Sequence, residues 1–387
     1  MSGGNPSDTP QHLLTEAVRL LHAGRPEAAE QLASRAIQAG LDSASAWGVL
    51  AIASRDAGNY GQARSAADRS IAHEGRNPRA YVVKGDAFYA EKNFRAAAAF
   101  YRQAQAYGPL PAGSPPDMLE DMQRAAARTA ELQDAFAEHL DGFVREFLED
   151  SANRTERMGD AVELLMGRKK LYYPEPHHLM YPGLPVRPFY PNDLFPWLGP
   201  LEAASDAIRQ ELDALLDARA SFDPYLHADD ERPLFDTHGM AGNADWGAYY
   251  LWRNGEALPA NQARCPQTTA AIRQLPLVFS GKRCPNVFFS RLKAGATIPP
   301  HTGMINTRLI GHLPLIVPER CGFRVGNDVR QWQAGEAWLF DDTIEHEAWN
   351  HSSQDRVILI FEVWKPELTA TEQQFVTRLL EAVDSYT

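Results

Sequence analysis

The chain has 387 residues and a formal net charge of −12, which argues against a surface built throughout to bind nucleic-acid phosphates. Its apolar runs, such as residues 357–361, are far shorter than the roughly 18 residues that a membrane span needs. Residues 1–10 are polar and do not read as a signal peptide. The three cysteines are far apart, which predicts reduced structural thiols. We therefore expect a cytoplasmic protein of two or three domains, with no nucleic-acid or membrane partner.

Small residues recur every 34 positions in the first part of the chain. The three series are Ala17, Ala51 and Gly85; Ala29, Ala63 and Ala97; and Ala36, Ser70 and Ala104. Small side chains at such points let antiparallel helices approach closely, and Gly24 and Gly58 are placed to end the first helix of a pair. This spacing resembles the tetratricopeptide repeat over about residues 10–110, with a plain alanine-rich helical bundle as the alternative. Three repeats would offer a concave surface for docking a peptide.

Residues 108–116 read GPLPAGSPP, which cannot continue a helix and predicts a linker. After it, Phe136, Leu140, Phe143 and Phe147 follow at three- and four-residue steps, as in an amphipathic helix. The sequence therefore predicts a helical repeat domain over residues 1–112 and a linker with connecting helices over residues 113–171. A second domain follows over residues 172–387.

The second domain differs in composition, and its first residues are rich in proline and aromatic side chains. One helix is predicted over about residues 200–218, and a final helix near Thr369, where Thr369 and Glu372 can form a capping box. Between them, short strands are predicted at Val287–Leu292, Arg308–Val317, Gly322–Val325, Ala337–Phe340 and Arg356–Trp364. Short, regularly spaced strands favour a β-sandwich or barrel. The expected fold class is thus multidomain α + β.

Two of the twelve histidines stand out by context, whereas the others are more typical of structural or surface positions. His301 lies in PPHTG and His346 in FDDTIEH, each next to a predicted strand. Two histidines on neighbouring strands, with coordination positions left open, are how a jelly roll holds catalytic iron(II). The usual site adds a carboxylate two residues after the first histidine, where this chain has Gly303.

A polar turn at residues 350–354 predicts a hairpin centred on His351. In that register His346 would lie opposite Arg356, about 5 Å away on the same face. A guanidinium offers the paired donors that a dicarboxylic cosubstrate needs, and a surface pair is the alternative. Because Arg356 leads into an apolar strand, we expect it to be at least partly enclosed.

Several separated blocks resemble the aspartyl/asparaginyl β-hydroxylases, in order. They read MYPGLPVRPFYP, ADWGAYYLWRNG, PPHTGMINTRLIGHLPLIVP and GEAWLFDDTIEHEAWNHSSQDRVILIFEVWKPELT, within about residues 172–380. The resemblance implies a double-stranded β-helix (a cupin-like jelly roll) with flanking helices. It also implies a dioxygenase dependent on iron(II) and the cosubstrate 2-oxoglutarate, which uses O2 to hydroxylate a C–H bond.

The resemblance implies that His301 and His346 are the catalytic iron ligands, with water in place of a carboxylate at Gly303. The coordination position left by Gly303 could instead hold chloride, so halogenation at the same iron is an alternative. A different class of alternative is a repeat adaptor with a degenerate, non-catalytic jelly roll.

For the cosubstrate, the resemblance implies that Arg356 and Ser290 bind the far carboxylate of 2-oxoglutarate. His312 falls on a further histidine of that pocket, and Arg308 matches a family arginine in the same strand. Since residues alternate along a strand, Arg308, Ile310 and His312 are expected to face the same side.

Two positions depart from the animal enzymes: Ile310 stands where they have arginine, and Phe288 where they have lysine. We therefore expect a substrate less acidic than aspartate, although Arg291 or Lys293 could restore the charge. The substrate stays open between a peptide or protein side chain docked by the repeats, a free amino acid, a lipid-linked acyl chain and a peptide natural product.

Overall fold

The computed structural model describes residues 9–149, 155–225 and 241–386. Contacts divide the chain into two units, Met1–Arg168 and Lys169–Thr387. Eight helices belong to the described part of the first unit. They are α1 (Pro10–His22), α2 (Pro26–Gln38), α3 (Ala44–Asp56), α4 (Tyr60–His73), α5 (Pro78–Ala90), α6 (Phe94–Gln105), α7 (Pro116–Glu149) and α8 (Glu156–Leu165).

The first six helices repeat with the period that the sequence predicts. α1, α3 and α5 begin 34 residues apart, and so do α2, α4 and α6. The small residues of all three series are buried between consecutive helices. At Gly85 a Cβ would overlap the ring of Tyr101, so that only glycine fits there. Gly24 and Gly58 follow α1 and α3 with φ angles of +67° and +82°, a conformation that glycine adopts at little cost.

α7 packs on the last repeat through one face of its first half, where Ala125 and Leu132 are buried. Next to them Asp86 accepts hydrogen bonds from Tyr101 Oη at 2.8 Å and from Arg124 Nη2 at 2.7 Å. Within the predicted segment 113–171, residues 116–149 and 156–165 are helical, and α7 and α8 lie within the first unit.

The second unit combines antiparallel strands with short helices. Its strands are β1 (Phe189–Tyr190), β2 (Asp223–Pro224), β3 (Trp246–Arg253), β4 (Glu256–Ala257), β5 (Val287–Leu292), β6 (Thr297–His301), β7 (Arg308–Ile316), β8 (Cys321–Val325), β9 (Asp328–Arg330), β10 (Trp338–Phe340), β11 (His346–Asn350) and β12 (Arg356–Trp364). Its helices are α9 (Leu198–Ala203), α10 (Ser205–Asp217), α11 (Pro259–Arg264), α12 (Pro266–Ile272) and α13 (Ala370–Asp384).

The strands form two sheets. The major sheet has the order β1-β10-β7-β12-β5-β3-β2, with β4 beside β3, and the minor sheet has the order β6-β11-β8-β9. All their pairings are antiparallel. The predicted strands are confirmed, and so is the capping box of Thr369 and Glu372 that begins α13. The double-stranded β-helix itself stays a prediction.

The major sheet has two distinct faces. Its outer face packs on helices α9, α10 and α12 through side chains such as Leu309 and Leu313. Its inner face, which includes Ile310, shares an apolar cluster with the minor sheet. Because residues alternate along β7, Arg308 and His312 lie on the same inner face as Ile310, as predicted.

The predicted hairpin between His346 and Arg356 is wrong. β11 pairs with β6 and β8 in the minor sheet, whereas β12 pairs with β5 and β7 in the major sheet. The chain crosses between sheets after Asn350, whose buried amide Nδ2 donates to the carbonyls of Leu292 and Gln354 at 3.0 and 2.8 Å. These bonds satisfy one carbonyl of the turn and one of β5 without a hairpin ladder.

Cys265, Cys284 and Cys321 are all buried free thiols, as predicted. Over the described ranges, no helix combines the length and the apolar character that crossing a membrane requires.

Candidate active site

The two histidines singled out in the sequence meet at the edge of the minor sheet. His301 on β6 and His346 on β11 are direct register partners. Their ring centroids lie 4.1 Å apart, and His346 is 6% exposed. The fold therefore brings together two imidazoles that are 45 residues apart in sequence.

Both imidazoles are oriented in the same way. His301 Nδ1 lies 2.8 Å from the carbonyl oxygen of Pro299, and His346 Nδ1 lies 3.0 Å from that of Ile344. Because a carbonyl oxygen can only accept, each Nδ1 carries the proton, and the lone pair that could bind a metal is on Nε2. Burial and the neighbouring His301 hold the pKa of His346 well below its usual value, so His346 is neutral at pH 7.

A carboxylate lies against Gly303, the residue that replaces the usual third ligand. A Cβ at Gly303 would overlap the Asp342 carboxylate, and Gly303 N donates to the Asp342 carbonyl at 2.6 Å. Burial raises the pKa of Asp342 to about 6. Among the residues that the structure describes, Asp342 Oδ1 has no hydrogen-bond partner. In that part of the chain, no group of three His, Cys, Asp or Glu side chains is arranged to hold a metal.

Arg308 is buried between two carboxylates. Its Nη2 lies 3.0 Å from Asp342 Oδ2, and its Nη1 pairs with Glu362. Glu362 also accepts from the backbone N–H of Asn286 at 2.9 Å. The pKa of Arg308 is raised well above its usual value, because the attraction of Glu362 and Asp342 outweighs the cost of burial. Arg308 thus holds the Asp342 carboxylate in place, and its role in binding a cosubstrate stays a prediction.

Arg356 is buried in a contrasting environment. The Arg356 side chain is 2% exposed. Within the described residues, no carboxylate lies within ion-pair distance of its guanidinium, and its Nε has no hydrogen-bond partner. Its guanidinium carbon lies 4.7 Å from the centroid of the Trp332 ring. Burial lowers the pKa of Arg356 to about 10. The expected enclosure of Arg356 is thus confirmed.

His312 and Ser290 lie on the same inner face as Arg356. Trp332 Nε1 donates to His312 Nδ1 at 3.3 Å, which leaves the proton of this imidazole on Nε2. Burial and the charge of Arg356 hold the pKa of His312 well below its usual value, so the ring is neutral. Trp246 Nε1 donates to Ser290 Oγ at 3.1 Å, which leaves the hydroxyl proton of Ser290 available to a ligand.

The two residues expected to restore a lost charge do not reach this face. Arg291 lies over the Phe222 ring at 4.8 Å, and Phe222 belongs to the cluster on the outer face. Lys293 forms an ion pair with Asp245 at 3.1 Å, and both side chains are exposed. Phe288 and Ile310, by contrast, are both buried in the inner cluster.

The sequence did not single out Asp342, Glu362, Trp332 or Trp246. The sequence did contain a signal for the first two. Asp342 stands in FDDTIEH, four residues before His346, and Glu362 is the lone charge within VILIFEVW. A carboxylate in such an apolar strand needs a buried partner, although the sequence does not say which one.

The comparisons with known proteins match this half of the chain. Residues 202–366 match the model of the family described as Aspartyl/Asparaginyl beta-hydroxylase. The chain is 35% identical over 197 residues to the ornithine lipid ester-linked acyl 2-hydroxylase of Rhizobium tropici, a match that covers 49% of this chain and 64% of that protein. It is 34% identical over 145 residues to the aspartyl/asparaginyl beta-hydroxylase of Homo sapiens, covering 36% of this chain and 19% of that protein.

The chain therefore spans less than two thirds of the length of either relative. Among solved structures, an Arabidopsis OM64 TPR domain aligns with 30% of this chain and 93% of its own, at 17% identity and a TM-score of 0.26. The assignment of the repeats rests on the 34-residue spacing of the helices and not on this alignment.

Proposed function

We propose that the aspartyl/asparaginyl β-hydroxylase domain of this chain, residues 202–366, is an iron(II)- and 2-oxoglutarate-dependent hydroxylase. The observation that carries the proposal is Arg356, a buried guanidinium without an acidic partner among the described residues. A buried charge that lacks a partner costs several kcal/mol. Such a charge beside His312, on the face of the major sheet that packs against the minor sheet, is suited to binding an anionic ligand.

The donors around Arg356 fit a dicarboxylic keto acid. Arg356 would hold the far carboxylate, with the hydroxyl of Ser290 as a further donor. The Nε2–H of neutral His312 is a third donor on the same face. Charge-assisted hydrogen bonds of this kind are the strong ones, and a guanidinium fits a carboxylate through two parallel bonds.

The histidine pair fits iron(II). His301 and His346 present Nε2 lone pairs from adjacent strands, and their Nδ1 bonds to backbone carbonyls fix the rings. Bound iron would supply the oxidation chemistry by activating O2 with the cosubstrate. The chain itself orients the ligands, excludes water through the surrounding aromatic side chains, and holds the Asp342 carboxylate beside Gly303 through Arg308.

Two alternatives are less well supported. Halogenation would need chloride at the position left open by Gly303, but the Asp342 carboxylate packs there and would repel an anion. A degenerate, non-catalytic adaptor would not be expected to retain a buried Arg356 without an acidic partner, because an apolar residue at that position would make the fold more stable.

For the substrate we propose an amino-acid side chain of a peptide or protein, or a related small molecule. One relative is named for the ester-linked acyl group of ornithine lipid, and another for aspartyl and asparaginyl residues. An acyl chain is the second candidate, which the apolar Phe288 and Ile310 favour. The helical repeats would serve to dock a peptide.

The proposal is tested by anaerobic titration of the full chain with iron(II) and 2-oxoglutarate, followed by succinate measurement in air. Arg356→Ala should raise the dissociation constant for 2-oxoglutarate at least tenfold, because a hydrogen bond to a charged group contributes about 1.5–3 kcal/mol. Iron binding should be retained in this variant.

The matched control is Arg378→Ala, which removes an exposed arginine on α13. It should leave the affinity for 2-oxoglutarate unchanged. If the full chain binds neither iron nor 2-oxoglutarate, or if Arg356→Ala binds 2-oxoglutarate like the parent chain, the proposal is wrong.

A further inference from the structure

Trp332 is a buried residue on a connection whose other side chains face outward. It lies between β9 of the minor sheet and β10 of the major sheet. Gln331 and Gln333 on either side of it are exposed, whereas Trp332 is 5% exposed and belongs to the apolar cluster between the sheets. Its ring stacks on that of Trp338, with the centroids 6.1 Å apart and the planes 16° apart. Neighbouring rings therefore hold the Trp332 indole in one orientation.

The face of the Trp332 ring lies against Arg356. The guanidinium carbon of Arg356 is 4.7 Å from the centroid of the ring. An aromatic face attracts a cation but, unlike a carboxylate, does not use the N–H groups along the edge of the guanidinium. In the described part of the chain, Arg356 Nε has no hydrogen-bond partner. The contact with Trp332 therefore supports the charge of Arg356 and leaves its donors for a ligand.

The indole N–H of Trp332 acts on a second residue of the same site. Trp332 Nε1 donates to His312 Nδ1 at 3.3 Å, and this bond is buried. A neutral imidazole has one donor and one acceptor nitrogen, so a bond that uses Nδ1 as the acceptor leaves Nε2 as the donor. Without this bond the ring is free to turn over or to move its proton to Nδ1. Nε2 would then present a lone pair, which repels a carboxylate.

Ser290, the other side-chain donor of the proposed cosubstrate site, has the same kind of partner. Trp246 Nε1 donates to Ser290 Oγ at 3.1 Å. Because an indole N–H can only donate, each of these bonds occupies an acceptor position and leaves a donor for the ligand. The two indoles thus give the site the hydrogen-bonding polarity that an anion needs.

We infer that Trp332 is a positioning residue for cosubstrate binding: its indole N–H holds His312 in the orientation and tautomer that donate from Nε2 to 2-oxoglutarate bound by Arg356. The inference rests on the proposed function and adds a residue to its cosubstrate site. Trp332 makes no hydrogen bond to the ligand itself, because its one donor is used on His312. Its contribution to binding should therefore vanish when His312 is absent, whereas a role in packing alone would persist.

The experiment measures 2-oxoglutarate binding by calorimetry on the full chain, loaded anaerobically with iron(II). Trp332→Phe keeps an aromatic ring and removes the N–H group. It should raise the dissociation constant for 2-oxoglutarate about threefold to tenfold, which is the range for the loss of one hydrogen bond. Iron binding should be unchanged. In a chain that already carries His312→Ala, adding Trp332→Phe should change this dissociation constant by less than about twofold.

The matched control is Trp252→Phe. Trp252 is also 5% exposed and has Arg273 6.0 Å from its ring centroid, but it packs in the cluster on the outer face of the major sheet. This variant should bind 2-oxoglutarate like the parent chain. Circular dichroism follows the fold of every variant.

A spectroscopic measurement on the parent chain needs no variant. With isotope-labelled histidine, the nitrogen resonances of His312 should show a protonated Nε2 and an unprotonated Nδ1. The resonances are assigned through the magnetisation transfer between this ring and the indole proton of Trp332. This measurement decides the question if Trp332→Phe or His312→Ala does not fold.

The inference is overturned if the proton of His312 is on Nδ1, or if a folded Trp332→Phe variant binds 2-oxoglutarate like the parent chain. It is equally overturned if Trp332→Phe weakens binding by the same factor with and without His312, because Trp332 would then act by packing. A parent chain that binds neither iron nor 2-oxoglutarate contradicts the proposed function instead, so the two failures are distinguishable.

Discussion

His301 and His346 each use one ring nitrogen for a backbone carbonyl two residues earlier. The local backbone therefore selects which nitrogen faces the site, before any ligand is present. Each of these two bonds is made within the histidine's own segment of chain. The orientation of one ring therefore does not depend on the other through these bonds.

Replacing either histidine should remove iron binding and leave the fold intact. His301→Ala and His346→Ala each delete one of two imidazole ligands, and the loss of a buried ring from His346 should cost about 1–3 kcal/mol of unfolding free energy. Iron content after anaerobic reconstitution and succinate release measure the effect, with thermal melting to follow the fold. His351→Ala, at an exposed position, is the control. Near-normal succinate release by either site variant would refute the ligand assignment.

The candidate site residues differ in how far their partners lie in sequence. The two histidines stood out by their local motifs, whereas Arg356 was singled out by a hairpin register that the structure contradicts and by the family resemblance. Asp342 and Glu362 could not be identified in either way, because their roles arise from contacts with Gly303 and Arg308 on other strands. The amino-acid sequence alone does not show which distant cation forms an ion pair with a buried carboxylate.

The elements were predicted well where local chemistry decides them. β5 and β12 have the predicted bounds, and the paired helices keep the 34-residue period. β3 was not predicted, because seven of its eight residues are buried and the strand shows no alternation of polar and apolar positions. The connection between β11 and β12 was predicted wrongly. A polar turn can join two strands of a hairpin or two strands of different sheets. Here the difference lies in the bonds of Asn350 to the carbonyls of Leu292 and Lys293, which are distant in sequence.

The crossover depends on Asn350. Its amide nitrogen donates to three carbonyls, those of Leu292, Lys293 and Gln354, and its oxygen accepts from Ser352. Asn350→Ala should destabilise the chain by about 2–4 kcal/mol, because several buried groups lose their partner at once.

It should also weaken 2-oxoglutarate binding, since Arg356 follows directly on the crossover. Chemical denaturation and calorimetry test both effects. The control Ser353→Ala removes an exposed hydroxyl from the same turn and should change neither quantity. A variant at Asn350 that matches the parent chain in both would show that the crossover is fixed by the strands alone.

At the scale of the whole molecule, the boundary between the two units falls at residues 168 and 169. A fragment of residues 169–387 should fold and bind iron(II) and 2-oxoglutarate with the affinity of the full chain, because every residue placed in the site belongs to the second unit. A fragment that begins at residue 117 should be less soluble, since α7 would expose Ala125 and Leu132.

Calorimetry on both fragments and on the full chain makes the comparison. If the shorter fragment folds, as judged by circular dichroism, but binds no 2-oxoglutarate, the first unit contributes to the site.

The buried guanidinium of Arg356 also affects the lifetime of the protein against proteolysis. Its lowered pKa marks an electrostatic penalty that the native state carries when no anion is present. A ligand that binds only the native state shifts the unfolding equilibrium by mass action, by about 2.7 kcal/mol at a hundred times its dissociation constant. Without bound 2-oxoglutarate, the chain would be unfolded for a larger fraction of the time and would be cleaved by proteases more often. The abundance of the protein would then follow the supply of a central metabolite, with no dedicated sensor.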